Sequence, residues 1–231
     1  MTHTYKYLLF DADNTLFDFD AAEAEAFAGL DDLYPGKFRR EYYHVYHEEN
    51  RKVWEELERG EISREELKKD RFRRYAKKMN FPLSEEDVVR ISIEYPKGLA
   101  RGTQLLDGAA EVLRILSQEY PIYIITNGLT YVQTARLEES AIKEYVTRMY
   151  ISEEIGYAKP DKRFFDAVMN HIGENDPAFY LVIGDSLSSD IDGANAAGID
   201  ACFYSPRGKD PGGRAVKYVI EDLRELIAIL L

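Results

Sequence analysis

The feature that most limits the fold of this chain is a set of short apolar runs separated by segments with helical periodicity. The first run, Tyr5–Phe10, predicts a buried strand, and five more strand-like runs alternate with helical segments after Pro96. Those five lie at Ile122–Ile125, Met149–Ile151, Tyr180–Ile183, Ala201–Tyr204 and Tyr218–Ile220. Apolar strands that alternate with helices form right-handed crossovers and a parallel sheet covered on both faces. The sequence therefore predicts an α/β fold with a doubly wound parallel sheet.

The segment between the first strand and Pro96 has a different pattern, because it is helical throughout. Its apolar side chains recur every three or four residues, as on the buried face of a helix. Ser63–Glu66 and Ser84–Asp87 have the spacing of capping boxes that begin two of these helices, and Pro96 predicts the end of the last one. We therefore predict a Rossmann-like core of residues 1–17 and 96–231, with an all-helical cap domain, residues 18–95, inserted after strand one.

Charge and composition exclude several classes of protein. The 231 residues carry 42 acidic and 30 basic side chains, a formal charge of −12, whereas nucleic-acid binders carry a basic surface. No apolar run approaches the roughly 20 residues that span a membrane, and the single cysteine, Cys202, cannot form an internal disulfide. These features predict a cytoplasmic protein that binds neither nucleic acid nor a membrane.

Polar side chains follow four of the predicted strands, at the point where each strand ends. Ligands of open α/β sheets bind at the carboxyl ends of the strands, so we expect these side chains to meet. They are Asp11 and Asp13 after the first strand, Thr126 and Asn127 after the second, Lys159 beyond the third, and Asp185 and Asp190 after the fourth. The sequence thus predicts one site that combines several carboxylates with a hydroxyl and an ammonium group.

This combination of groups suits phosphoryl transfer. Carboxylates without histidine or cysteine beside them favour Mg²⁺, which binds few protein carboxylates and keeps positions for water and phosphate. An aspartate can attack phosphorus as a nucleophile, while a threonine hydroxyl and a lysine ammonium stabilise the phosphoryl oxygens as charge develops. The metal would also reduce the repulsion between Asp11 and a phosphate dianion.

Four motifs at these strand ends resemble those of the haloacid dehalogenase-like hydrolase superfamily. They are Asp11-Ala-Asp13-Asn-Thr15, Thr126-Asn-Gly, Lys159-Pro and Gly184-Asp185-Ser-Leu-Ser-Ser-Asp190, and they occur in the family's order. The helical insertion after the first motif resembles the type-1 cap of that superfamily. The resemblance covers the whole predicted core and implies a HAD-like fold with a cap domain.

The resemblance implies catalytic roles for two aspartates. Asp11 matches the family nucleophile, which also binds Mg²⁺. Asp13 matches the general acid and base that protonates the leaving group and then activates water, and its backbone carbonyl matches a ligand of Mg²⁺. The dehalogenases of the family lack this second acid because their carbon-centred reaction needs no protonation of the leaving group. The presence of Asp13 therefore favours phosphoryl chemistry.

The resemblance also implies roles for the residues after the later strands. Thr126 matches the catalytic hydroxyl that binds a phosphoryl oxygen, and Asn127 belongs to the same phosphate-binding motif. Lys159 matches the catalytic lysine that neutralises the nucleophile and the phosphate. Asp185 matches the remaining Mg²⁺ carboxylate, and Asp190 matches a supporting acid.

A narrower resemblance concerns the substrate. The stretches Asp11–Asp20, Ile125–Gly128 and Ile151–Pro160 are similar to the house-cleaning pyrimidine 5′-nucleotidases of this superfamily. This implies a phosphomonoesterase that hydrolyses pyrimidine nucleoside 5′-monophosphates, acting on a small phosphate ester as a monomer or a homodimer. The alternative is another capped phosphatase or mutase that acts on a sugar phosphate or phosphoglycolate, because the cap carries no signature of a substrate.

Two other classes of protein share part of this pattern. Signalling receiver domains also use an acceptor aspartate, Mg²⁺, a threonine and a lysine on a doubly wound sheet. Their acceptor lies on a later strand, however, and they have no helical insertion of this size. A catalytically idle interaction module is disfavoured because every motif residue is present.

Several side chains of the cap allow both a functional and a structural interpretation. Trp54, Phe72 and Tyr75 could stack on a base, but their helical spacing favours the core of the cap. The basic run Arg71–Lys78 could contact a nucleotide, and His44 with His47 could bind a metal. For both groups, solvated helix faces are the favoured interpretation.

Overall fold

The computed structural model describes residues 5–231, and these residues form a six-stranded parallel sheet. The strands are β1 (Tyr7–Asp11), β2 (Ile122–Thr126), β3 (Arg148–Ile151), β4 (Tyr180–Gly184), β5 (Asp200–Tyr204) and β6 (Tyr218–Ile220). Their order across the sheet is β3-β2-β1-β4-β5-β6. The first strand of the chain therefore occupies the centre of the sheet, between β2 and β4.

Helices occupy most of the remaining chain. In chain order they are α1 (Phe19–Gly29), α2 (Tyr43–Glu58), α3 (Arg64–Lys78), α4 (Glu85–Leu99), α5 (Ala109–Leu116), α6 (Thr130–Glu138), α7 (Ser152–Ile155), α8 (Lys162–Ile172), α9 (Asp192–Ala197) and α10 (Glu225–Leu230). Each strand that the sequence predicted is present, which confirms the doubly wound parallel sheet. No helix of residues 5–231 combines the length and the apolar character that crossing a bilayer requires.

The two faces of the sheet bury separate apolar cores because neighbouring residues of a strand point to opposite faces. Leu8 and Phe10 of β1 pack with side chains of α5 and α10. Leu9, which lies between them, packs with side chains of α8 and α9 on the other face. Burial on both faces explains why the strands read as continuous apolar runs.

The chain divides into two compact units. One comprises the chain up to Phe19 together with Thr103–Leu231, and it contains the sheet. The other is Asp20–Gly102, and it is helical. The predicted cap, residues 18–95, ends inside α4, since this helix continues beyond Pro96 to Leu99.

Pro96 does not end α4, contrary to the prediction. Proline lacks a backbone N–H and usually interrupts a helix. Here Tyr95 and Leu99 on either side of it are both buried, and the N–H of Ala100 still donates to the carbonyl of Pro96. The continuous apolar face outweighs the lost hydrogen bond.

Both predicted capping boxes begin helices of the second unit. The Ser63 side chain accepts from the backbone N–H of Glu66 at the start of α3, and Ser84 accepts from Asp87 at the start of α4. In each box the acidic side chain also accepts from the backbone N–H of the serine. The cap signals of the sequence therefore locate the starts of these helices correctly.

An aromatic cluster fills the interior of the second unit. Phe27 stacks on Tyr46 with ring centroids 5.0 Å apart, and Tyr46 stacks on Phe72 at 5.4 Å. Tyr75 packs nearly perpendicular to Phe27, with ring centroids 5.1 Å apart. Phe72 and Tyr75 are fully buried, so the core interpretation of these two side chains is confirmed. Trp54 is only partly buried.

Three charged side chains of the second unit are also buried, and they are Glu23, Glu49 and Arg71. The carboxylate of Glu23 accepts hydrogen bonds from the Tyr43 hydroxyl at 2.8 Å and from Asn50 Nδ2 at 2.5 Å. Glu23 also lies 2.7 Å from Nδ1 of His47. Arg71 therefore differs from the predicted solvated face, because the helical period of α3 turns it toward the interior of this unit. His44 is exposed and the His47 side chain is 43% exposed, in agreement with the solvated interpretation of this pair.

Candidate active site

The candidate site lies at the carboxyl edge of the sheet, within the unit that contains the strands. Asp11 is the last residue of β1, and Thr126 is the last residue of β2. Asp185 follows Gly184, the last residue of β4. Because β1 pairs with both β2 and β4 in parallel, the ends of these three strands meet at one edge.

Lys159 connects the acidic groups of the site. Its side chain is buried, and Nζ donates to Asp11 Oδ1 at 2.5 Å, to Asp190 Oδ1 at 2.7 Å and to the carbonyl of Ile125 at 2.8 Å. These three acceptors use all three hydrogens of the ammonium group. Lys159 therefore has a fixed position between the nucleophile candidate and the supporting acid.

Asn127 holds the backbone of Lys159. Its Nδ2 donates to the Lys159 carbonyl at 2.8 Å, and its Oδ1 accepts from the Lys159 N–H at 2.9 Å. The Asn127 side chain thus has a positioning task that the sequence did not reveal. Thr126 Oγ1 accepts from the N–H of Gly128 at 3.0 Å, and a hydroxyl that accepts in this way retains its own hydrogen to donate.

Three carboxylates gather beside Lys159. Asp11, Asp185 and Asp190 each offer an oxygen, and these atoms lie within 4.8 Å of one another. Thr15 Oγ1 donates to Asp185 Oδ1 at 3.2 Å. Asp190 lies in a π-helical turn, Leu187–Ile191, where its Oδ2 accepts from the N–H of Ser186 at 3.1 Å.

The electrostatics of this cluster indicate a deficit of positive charge. Burial raises the pKa of Asp11 well above its usual range, and the charge of Asp190 raises it further while Lys159 opposes both. Burial and Asp190 likewise raise the pKa of Asp185 to about 7. Burial alone would lower the pKa of Lys159, but the carboxylates of Asp11 and Asp190 outweigh it and raise this pKa. Fully ionised, three carboxylates and one ammonium leave two uncompensated negative charges.

This donor set fits Mg²⁺. The ion carries the two positive charges that the cluster lacks, and carboxylate oxygens are the ligands it prefers. The cluster also offers few enough carboxylates to leave coordination positions for water or a phosphate oxygen.

The carboxylate of Asp13 contacts two side chains of α6. Gln133 Nε2 donates to Asp13 Oδ2 at 2.6 Å, and Arg136 Nη1 donates to Asp13 Oδ1. Both donors belong to buried side chains. Sequence reasoning did not identify Gln133 or Arg136, although two long polar residues at i and i+3 on the buried face of a short helix are a signal that could have found them.

A comparison with known protein families shows which family the chain belongs to. Residues 5–198 match the family described as haloacid dehalogenase-like hydrolase. The chain belongs to this hydrolase family. The family resemblance of the four strand-end motifs is thereby confirmed, and so is the capped Rossmann-like fold that it implied.

Relatives of this hydrolase in bacteria align with nearly the full chain. YfnB of Bacillus subtilis is 34% identical over 98% of this chain and 95% of its own. The pyrimidine 5′-nucleotidase PynA of Streptococcus pneumoniae is 37% identical over 87% of this chain and 84% of its own. The pyrimidine 5′-nucleotidase YjjG of Escherichia coli is 31% identical over 98% of each chain.

A crystal structure of YfnB bound to magnesium has the same fold as this hydrolase. The two align with a TM-score of 0.90 at 33% identity, over 98% of each chain. The roles of the individual site residues, in contrast, stay predictions.

Proposed function

We propose that this hydrolase is a Mg²⁺-dependent phosphomonoesterase that cleaves pyrimidine nucleoside 5′-monophosphates through an aspartyl-phosphate on Asp11. The observation that carries the proposal is the buried Asp11–Lys159 pair beside Asp185 and Asp190, a cluster with an excess of negative charge at the end of the central strand. The pyrimidine substrate is supported by the resemblance to PynA and YjjG. A cytoplasmic location and a monomeric or homodimeric state belong to the same proposal.

In this proposal Asp11, Asp185 and the backbone carbonyl of Asp13 hold the metal, and Asp190 supports them through Lys159. When bound, Mg²⁺ supplies positive charge that offsets both the carboxylates and the incoming phosphate. The fixed position of Lys159 orients the Asp11 carboxylate and adds a second positive charge beside it. The Thr126 hydroxyl donates to a phosphoryl oxygen as negative charge develops there.

The first half of the reaction transfers the phosphoryl group to the protein. A carboxylate oxygen of Asp11 attacks phosphorus, the bond between phosphorus and the ester oxygen breaks, and the electron pair stays on that oxygen. Asp13 gives a proton to the same oxygen, so that the nucleoside leaves as an alcohol. Asp11 is then an acyl phosphate, and Asp13 is an anion.

The second half restores the protein. A water oxygen attacks phosphorus while the Asp13 carboxylate takes a proton from that water. The bond between phosphorus and the Asp11 oxygen breaks, and inorganic phosphate leaves. Asp11 is again a carboxylate and Asp13 again carries the proton, so atoms and charges balance over the cycle.

The nucleophile role is tested by Asp11→Asn, with the exposed Asp32→Asn as a matched control. We expect Asp11→Asn to lower phosphate release by more than about 10³-fold, with an unchanged circular dichroism spectrum and no loss in melting temperature. Asp32→Asn should keep full turnover. Retained turnover in Asp11→Asn would remove Asp11 as the nucleophile.

The substrate is tested by a panel of monophosphates with Mg²⁺, with EDTA as the metal-free arm. Uridine and thymidine monophosphates should be cleaved fastest, and EDTA should abolish their cleavage. The second candidate is a phosphatase or mutase for a sugar phosphate or phosphoglycolate. Fast cleavage of those compounds with the pyrimidine nucleotides untouched would establish this alternative.

A further inference from the structure

The contacts of Asp13 differ from those of the other three site aspartates. Asp11, Asp185 and Asp190 gather beside Lys159, whereas both oxygens of Asp13 accept hydrogen bonds from side chains of α6. Gln133 occupies Oδ2 and Arg136 occupies Oδ1. The two donors are one helical turn apart, so they reach the carboxylate from the same helix face.

Local packing fixes both donors. A Cβ atom at Gly128 would lie 2.7 Å from Cγ of Gln133, so a glycine at this position leaves the space through which the glutamine side chain passes. The Arg136 guanidinium lies 4.5 Å from the ring centroid of Phe17 and 5.9 Å from that of Phe19. Both aromatic residues lie shortly after Asp13 in the sequence. The faces of their rings attract the positive charge of the Arg136 guanidinium.

Packing alone does not explain why these side chains are polar. Apolar residues stabilise the buried face of a helix more effectively, because a polar group removed from water loses its hydration. Within residues 5–231, Oε1 of Gln133 is buried and makes no hydrogen bond. The glutamine therefore lowers stability through Oε1, while its Nε2 serves Asp13.

We propose that Gln133 and Arg136 are positioning residues for Asp13. They fix the orientation of its carboxylate and, through it, the two proton transfers of the reaction; this inference rests on the proposed function. Because both side chains donate to the two oxygens of Asp13, their effect on the reaction passes through Asp13. Without them, the Asp13 side chain would rotate among its staggered rotamers and lose its alignment.

The test separates steps that need Asp13 from steps that do not. The nucleoside alkoxide needs a proton to leave, whereas p-nitrophenolate is a stable anion that leaves without one. We compare first-turnover release of the leaving group from uridine monophosphate and from p-nitrophenyl phosphate. The variants are Arg136→Met and Gln133→Met, and Thr134→Ala on the exposed side of α6 is the control.

We expect the first turnover of uridine monophosphate to fall by about 10²-fold in Arg136→Met, within the range of general acid catalysis. The first turnover of p-nitrophenyl phosphate should stay within about threefold of the unmodified protein. A burst of p-nitrophenolate followed by a slow phase should then appear, because hydrolysis of the aspartyl-phosphate also needs Asp13. Gln133→Met should show the same difference between the two substrates and the same burst, with a smaller loss of rate. Thr134→Ala should match the unmodified protein.

Combination with Asp13→Asn completes the test. If Arg136 acts through Asp13, adding Arg136→Met to Asp13→Asn produces no further loss in the slow phase. An equal loss for both substrates without a burst, or a further loss in the double variant, would overturn the inference while leaving the proposed function intact. Absence of phosphate release by the unmodified protein from every substrate would refute the proposed function, and the inference with it.

Discussion

Replacing Asp185 by asparagine should stabilise the metal-free protein at pH 8. The Asp185 carboxyl lies beside Asp11 and Asp190, where burial and the charge of Asp190 raise its pKa to about 7. In the metal-free protein at pH 8 this side chain is an anion that the charge of Asp190 repels. Asparagine has nearly the same shape and removes the charge, while its side-chain oxygen can still accept from Thr15.

The size of the effect follows from the two pKa values of Asp185. An unfolded aspartate has a pKa of about 3.9, and each unit of difference corresponds to about 1.4 kcal/mol. A folded-state pKa of about 7 therefore lowers the free energy of unfolding by up to about 4 kcal/mol once the pH exceeds 7. Because Asp185 is incompletely covered, solvent screening reduces the expected gain from Asp185→Asn to about 2–4 kcal/mol.

The sign of the pH dependence is fixed by the same shift. The folded state holds the Asp185 proton more tightly than the unfolded state, so this group destabilises the fold as pH rises from about 4 to about 7. Asp185→Asn should equal the unmodified protein near pH 4 and exceed it progressively up to pH 7. Addition of Mg²⁺ at pH 8 should stabilise the unmodified protein. At a Mg²⁺ concentration one hundred times the dissociation constant of the ion, the free energy of unfolding should rise by about 2.7 kcal/mol. The variant should gain less.

The assay is urea unfolding in EDTA at half-unit steps from pH 4 to pH 8, read as the difference between each variant and the unmodified protein. This difference removes the titration of groups that do not interact with Asp185. The exposed Asp32→Asn serves as the control for the removal of one carboxylate charge outside the cluster. If Asp185→Asn is less stable than the unmodified protein at pH 8, or if its difference does not change with pH, the inferred deficit of positive charge is wrong.

Four further changes have outcomes that unfolding or turnover measurements can check. Lys159→Met should abolish phosphate release and, in EDTA at pH 8, lower the free energy of unfolding by about 3–5 kcal/mol, because it removes the cation from buried carboxylates. Glu23→Leu should destabilise the protein in urea unfolding, because four polar partners inside the helical unit lose their acceptor. The pKa of His47 is raised by its hydrogen bond with Glu23. The contribution of this pair to the free energy of unfolding should therefore decrease as the pH rises through that pKa. His47→Gln should remove this pH dependence. Gly184→Ala should cost about 1–3 kcal/mol in urea unfolding, because its Cβ would lie 2.7 Å from Cβ of Asp190.

The sequence predicted the parts of the fold and the site that depend on local pattern. Apolar runs located the strands, and strand ends in a parallel sheet converge by geometry, so Asp11 and Asp185 were expected to meet. The contacts of Asp13 with Gln133 and Arg136 join residues more than a hundred positions apart. These contacts depend on which face of α6 is turned toward Asp13. The apolar pattern of this helix is too weak to predict that face.

Charged residues inside the helical unit were missed for a related reason. Basic residues usually occupy solvated faces, and Arg71 belongs to a basic run. Its burial depends on the phase of α3, in which Arg71, Phe72 and Tyr75 all face the interior. Pro96 was misread because its local effect on the backbone was weighed without the buried neighbours that keep α4 intact.

The central position of β1 has a consequence for the order of folding. Leu9 pairs with Tyr123 on one side and with Val182 on the other, so both neighbours of β1 lie far along the chain. Closing such long loops is slow, whereas the helices of Asp20–Gly102 form mainly from nearby contacts. On a ribosome, the strand that carries Asp11 is made early but can be enclosed on both sides only after β4 has emerged. The acidic cluster therefore assembles only after β4 has been made, so an incomplete chain that lacks β4 also lacks the proposed site.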